Sequence, residues 1–362
     1  PENEIGEMMR QVIAHEIGHA LGLPHNMKAS SAYPVDSLRS GTFTQKYGIA
    51  TTIMDYARYN YVAQPDDKNI RFVRQLGPYD DYSIEWGYRY FGKSPEEEKE
   101  ILKNFVDEKS LNPMYMFGGY GNDPNSQTEN IGDDPVKASL YGISNLKIVA
   151  KNLKEWTIEP KENYNELNEL YGELIGVYRR YVYHVLNLVG GIYDTPHNEN
   201  QKGVVRYVNV DIDKQLQALK FMEKNLWNTQ NWLMDKSLIS QIKAEGVLGS
   251  LQGLQLSAFN RILSVSKLNR MLSARESLEG DPLSVEELID NLFKTIVKNP
   301  ENPDLSEQRL QINFVERIDE LMGEEKLNPS IKSSLLDTKY KIHKLAKRRG
   351  GSHYKYLKSI SE

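Results

Sequence analysis

Cysteine is absent from the 362 residues. That excludes a disulfide framework and any thiolate metal site, so a bound metal would have to draw its ligands from histidines and carboxylates. Long apolar runs are missing as well. The longest, residues 181–193, contains His184 and Asn187 and is too short to cross a bilayer. There is no excess of positive charge. Lys and Arg number 45 against 50 Asp and Glu, a net charge of −5, which argues against a chain built chiefly to neutralise nucleic acid. β-rich segments are scarce: only 190–193 and 204–208, either side of a polar loop, read as a short hairpin. What remains is a globular composition, 39% hydrophobic and 26% charged, on a chain long enough for two domains at about 150 residues each.

Helical periodicity dominates. The spacing predicts a first helix over 5–21, in which Met9, Ile13, Ile17 and Ala20 form an apolar stripe expected to pack while the opposite face does chemistry. Residues 23–78 read as loop-rich, with Pro, Gly, Ser and Asn as punctuation. Gly77-Pro78 opens a helix to about residue 90. Ser94-Pro95-Glu96-Glu97 supplies an N-cap, a first-turn proline and acidic residues for a helix over 94–109. After an irregular stretch, 112–134, Asp134-Pro135 caps the next helix. Further helices are expected over 136–156, 163–188, 211–228, 230–244, 250–274, 284–298, 304–322 and 330–347. The expected division is a first domain over 1–134 and a helical domain over 135–362 carrying the hairpin near 190–210.

The strongest local pattern is His15-Glu16-Ile17-Gly18-His19-Ala20-Leu21-Gly22-Leu23-Pro24-His25, which fits H-E-x-x-H-x-x-G-x-x-H without a gap. Residues four apart on a helix lie on one face, so His15 and His19 project toward one ion. Glu16 stands beside that face, placed to take a proton from a metal-activated water. Gly22 can adopt a positive φ and turn the chain sharply. Pro24 prevents the helix from resuming, and His25 swings back as a third ligand. Three neutral imidazoles leave a fourth position open, the arrangement of a catalytic rather than a structural zinc.

Downstream lies Thr52-Ile53-Met54-Asp55-Tyr56. With the long histidine motif before it, the chain resembles a metzincin metallopeptidase, whose zinc helix is followed by a tight turn bearing a methionine under the metal. The resemblance implies that Met54 is that methionine, where the bland alternative is a gap-filling core residue. It implies for Tyr56 a place on the metal or a hydrogen bond to the oxyanion, the alternative being a structural tyrosine. His25-Asn26, Gly77-Pro78-Tyr79-Asp80, Trp86-Gly87-Tyr88, Gly132-Asp133-Asp134-Pro135 and Trp232-Leu233 extend the likeness to the large bacterial (Bacteroidetes-type) Met-zincin metalloproteases. The fold this likeness implies is mainly α: the lower half of a metzincin catalytic domain, comprising zinc helix and Met-turn loop region, then a multi-helix domain with one short β-hairpin. It also implies one catalytic Zn²⁺, hydrolysis of a protein or peptide substrate, and a secreted, periplasmic or cell-surface location. Metzincin domains place a substrate-pairing sheet upstream of the zinc helix. Only fourteen residues precede His15, so the chain is expected to be a piece that continues into an upstream region. The rival class is a non-catalytic binding or scaffold protein that keeps the zinc for structure.

Weaker signals receive structural readings. Asp123-x-Asn125-x-Gln127-x-Glu129 with Asp133 and Asp134 is an oxygen-rich loop of the kind that holds Ca²⁺, but it lacks the sixth-position glycine and final glutamate of an EF-hand, and its tail doubles as a helix cap. His184 reads as a core histidine, and His197, His343 and His353 have no partner spacing. The basic stretch 339–358 reads as a helix end and solvated tail.

Overall fold

The computed structural model describes residues 2–119, 121–157 and 163–362. The described chain is mainly α. Its helices are α1 (Glu2–Ala20), α2 (Gly41–Tyr47), α3 (Pro78–Tyr88), α4 (Pro95–Lys109), α5 (Pro135–Thr157), α6 (Asn165–Leu186), α7 (Ile212–Met222), α8 (Lys236–Ile242), α9 (Leu248–Ile262), α10 (Val265–Ser277), α11 (Val285–Leu292), α12 (Leu305–Gly323), α13 (Pro329–Arg348) and α14 (Ser352–Ile360). Strands β1 (Ile192–Asp194) and β2 (Tyr207–Asn209) pair in a two-stranded sheet, with Thr195 N–H donating to Arg206 O at 2.8 Å beside it.

Local chemistry sets the helix starts. Ser94 Oγ accepts from Glu97 N while the Glu97 carboxylate accepts from Ser94 N, a reciprocal cap in front of α4. Asp134 Oδ1 accepts from Lys137 N at 3.0 Å and caps α5. The expected helix over 250–274 is two: Ser264 breaks it and caps α10 through Lys267 N. Helices α2 and α14 were not legible in the apolar spacing.

The chain forms two compact units, Pro1–Asn145 with Gly191–Val208, and Leu146–Gly190 with Asn209–Glu362. The segment carrying β1 therefore belongs with the first unit rather than with the helical remainder. The reason is polar: Lys28 Nζ donates to Asp194 O at 2.5 Å, and Asn200 Nδ2 to Asp107 at 2.9 Å. The first unit's core holds Met27, Leu38, Ile49, Met54 and Ile131. In the second unit, Phe259 meets Phe314 edge-on at 5.3 Å and Trp227 at 6.2 Å, each buried ring being worth roughly 1.5–3 kcal/mol of transfer free energy.

The apolar stripe of α1 does not pack as its spacing leads one to expect. Met9, Ile13 and Ile17 are 61%, 57% and 54% exposed, whereas Gln11, His15 and Gly18 are buried. The polar face packs because its donors and acceptors find partners in the loop region after the helix. The apolar face meets nothing comparable among the described residues.

Candidate metal centre

Helix α1 delivers His15 and His19 to one face, as their spacing requires. Past Ala20 the chain turns at Gly22, whose φ is +81°, and Leu23 N–H reaches back to Gly18 O at 3.0 Å. That turn brings the Leu23 carbonyl to His19 Nδ1, 2.9 Å away, and carries His25 toward the other two rings. His25 Nε2 lies 3.2 Å from His15 Nε2 and 2.9 Å from His19 Nε2. Among the described residues, this is the one group of three or more His, Asp or Glu whose ligand atoms converge on a common ion.

The donor set fits zinc. His15 Nδ1 donates to Ile53 O at 2.7 Å and His19 Nδ1 to Leu23 O. With the Nδ1 atoms protonated, the Nε2 lone pairs of those rings are free to ligate, and both lie beside His25 Nε2. Nitrogen ligands about 2.0–2.1 Å from a tetrahedral zinc would stand about 3.3 Å apart, close to the separations found. Burial, joined by the nearby Arg74 guanidinium, holds His15 below the ordinary histidine range. Burial and the two facing imidazoles do the same for His25. Neutral rings are the ligating form.

Met54 is fully buried, and its thioether lies against the backbone of α1. A Cβ built on Gly18 would fall 2.3 Å from Met54 Sδ. Tyr56 packs on the triad, its ring centroid 4.3 Å from that of His25 and 5.5 Å from that of His15. Glu16 is exposed on α1 next to His15.

The loop bearing Met54 is held from several sides by residues that sequence reasoning gave no role. Asp80, in the first turn of α3, accepts from Ile53 N at 3.1 Å, from Gly77 N at 2.9 Å and from the Thr52 hydroxyl. Asn26, immediately after His25, donates its backbone N–H to Met54 O at 3.1 Å and its side-chain amide to Met116 O at 2.9 Å. Asp55 accepts from Ser30 N and Ala57 N, and burial pushes its carboxyl up to about 6. The Gly77-Pro78 pair marked the start of a helix. Nothing in it pointed to the methionine loop.

The oxygen-rich loop is put to other uses. Asp123 pairs with Lys28 at 2.6 Å, Glu129 with Arg58 at 3.2 Å, and Asp133 accepts from Val35 N at 3.0 Å. Among the described residues these carboxylates form no converging group of three. His184 is buried in α6, as expected. His197 sits by Thr195 O, His343 by Lys358 O and His353 by Gln311 Oε1.

The family model for Met-zincins matches residues 1–304. The chain belongs to the Met-zincin family. No curated protein and no solved structure matches it. The Met-zincin is accordingly a zinc metallopeptidase of the metzincin type, with a mainly α chain and a histidine triad whose geometry suits the metal. None of its described helices is long and apolar enough to cross a membrane.

Proposed function

We propose that this Met-zincin hydrolyses peptide bonds within protein or peptide substrates, with His15, His19 and His25 as the zinc ligands and Glu16 as the general base. The observation that carries the reading is the convergence of three Nε2 atoms, 2.9 and 3.2 Å apart, beside an exposed carboxylate one residue from a ligand. When bound, zinc supplies Lewis acidity to the scissile carbonyl and to the attacking water. Glu16 takes a proton from that water and hands it to the leaving amine. Tyr56, packed against His25, donates its hydroxyl to the oxygen on which charge develops. The bonds from His15 and His19 to backbone carbonyls keep those rings oriented while this happens. Met54 forms the floor beneath the triad. The likeness to envelope and exported metalloproteases supports a secreted, periplasmic or cell-surface setting.

A peptidase assay with a chelator arm tests the reading: turnover that survives complete metal removal overturns it. Glu16→Gln removes the base and none of the imidazoles. Zinc stoichiometry should persist while turnover falls about 10²-fold or more. Loss of metal together with activity would show that Glu16 has another role. Tyr56→Phe should lower kcat at unchanged KM, and a variant that is merely less stable would return Tyr56 to the core.

A further inference from the structure

Arg74 is a buried arginine, 6% exposed, on the irregular segment that leads into α3. Its guanidinium serves backbone and amide oxygens. Nη1 donates to Ile53 O at 2.7 Å and also to Asp55 O, the carbonyls on either side of Met54. Nε donates to Gln11 Oε1 at 3.3 Å, and the Arg74 backbone N–H reaches the same oxygen at 3.2 Å. Gln11 sits four residues before His15 on α1, one turn away on the same face. The Ile53 carbonyl that takes a bond from Arg74 is also the acceptor for His15 Nδ1, at 2.7 Å. Guanidinium and imidazole thus share one oxygen, with Arg74 Nη1 only 3.3 Å from His15 Nδ1. The contacts close a ring: α1 through Gln11 to Arg74, to the Ile53 carbonyl, to His15, and back to α1.

We infer that Arg74 is a positioning residue for the metal: it fixes the Ile53 carbonyl that orients the His15 ring, and locks the loop bearing Met54 to the helix that carries His15 and His19. The inference rests on the zinc-peptidase reading and adds to it a residue that touches neither metal nor substrate. A carbonyl on a loop orients a ligand only as well as the loop itself is fixed. A planar guanidinium is suited to fixing it, because it offers several donors in one rigid fork and can hold two carbonyls and an amide oxygen together. A lysine in its place would reach one of those acceptors.

Zinc affinity, measured on the full chain by competition with a chromophoric chelator, tests this without recourse to activity. The wild-type protein should bind one zinc, and with Co²⁺ in its place should show the visible bands of a four-coordinate site. Arg74→Met should bind zinc roughly 10- to 100-fold more weakly and broaden or lose those bands, and Arg74→Lys should recover part of both. Asn60→Ala controls for stability. Asn60 is buried in the same unit and donates to Leu38 O at 2.7 Å, so its loss should lower Tm yet leave zinc affinity within about twofold. If Arg74→Met does not fold, Gln11→Leu, which removes the acceptor that registers Arg74 on α1, should weaken zinc in the same direction. Wild-type affinity and cobalt bands in whichever of these variants folds would overturn the positioning role. So would an equal loss in Asn60→Ala. A wild-type protein that takes up no zinc would instead refute the peptidase reading itself.

Discussion

Gly18 lies within the histidine motif, and its missing side chain is what lets Met54 lie directly on α1. Because a Cβ there would fall 2.3 Å from Met54 Sδ, Gly18→Ala should force the thioether or the helix aside. Overpacking of this kind costs about 1–3 kcal/mol. Calorimetry on Gly18→Ala, Met54→Ala and the double variant would measure the coupling: the double variant should be more stable than the sum of the two losses predicts. Strict additivity would mean that the two residues do not press on each other. The three converging histidines and Glu16 beside them were legible in the sequence because a helix repeats every 3.6 residues and a glycine can end it. Gln11, Arg74 and Asp80 were not. They come from α1, an irregular segment and a helix start, and no periodicity relates their positions. The stripe of α1 is the complementary case. Spacing shows that Met9, Ile13 and Ile17 share a face, and says nothing about whether that face is covered.

Helix interiors were easier to read than helix ends. The reciprocal caps at Ser94 and Ser284 and the aspartate cap at Asp304 follow from local side chains. The C-terminal end of α6 instead meets long basic side chains from distant helices. Lys267 Nζ, from α10, donates to Val189 O at 2.7 Å, Arg270 donates to Gly190 O at 3.2 Å, and Arg261, from α9, to Asn187 Oδ1 at 3.1 Å. Burial, followed by the two arginines, pushes Lys267 from its ordinary 10.5 down to about 7. The unfolded chain therefore holds that proton between about pH 7 and 10.5 while the folded chain does not, so stability should rise with pH across this window. Lys267→Met should flatten that slope in urea unfolding. A wild-type slope no steeper than the variant's would show that Lys267 is ordinary in the folded state.

Along the full length of the chain, the first unit is assembled from two stretches, Pro1–Asn145 and Gly191–Val208. Asp194 O and Asp123 are the partners of the buried Lys28 ammonium, three residues beyond His25. A fragment ending at residue 145 keeps all three histidines but loses one of those partners, and with it the Asn198 and Asn200 bonds to Asp107. It should be cut faster by a broad-specificity protease and melt at a lower temperature than the same unit in the full chain. A fragment that matches the full chain in both would make the later stretch dispensable.

That two-part composition also sets a timetable. A ribosome releases His15, His19 and His25 long before it reaches Asp194, and at about 5–20 residues per second the interval is on the order of ten seconds. During that interval the three histidines are present while the lysine just beyond them still lacks half its anchorage. In a nascent chain, the convergence of the histidines and the closing of the unit around Lys28 are therefore separate events, and the histidines come first.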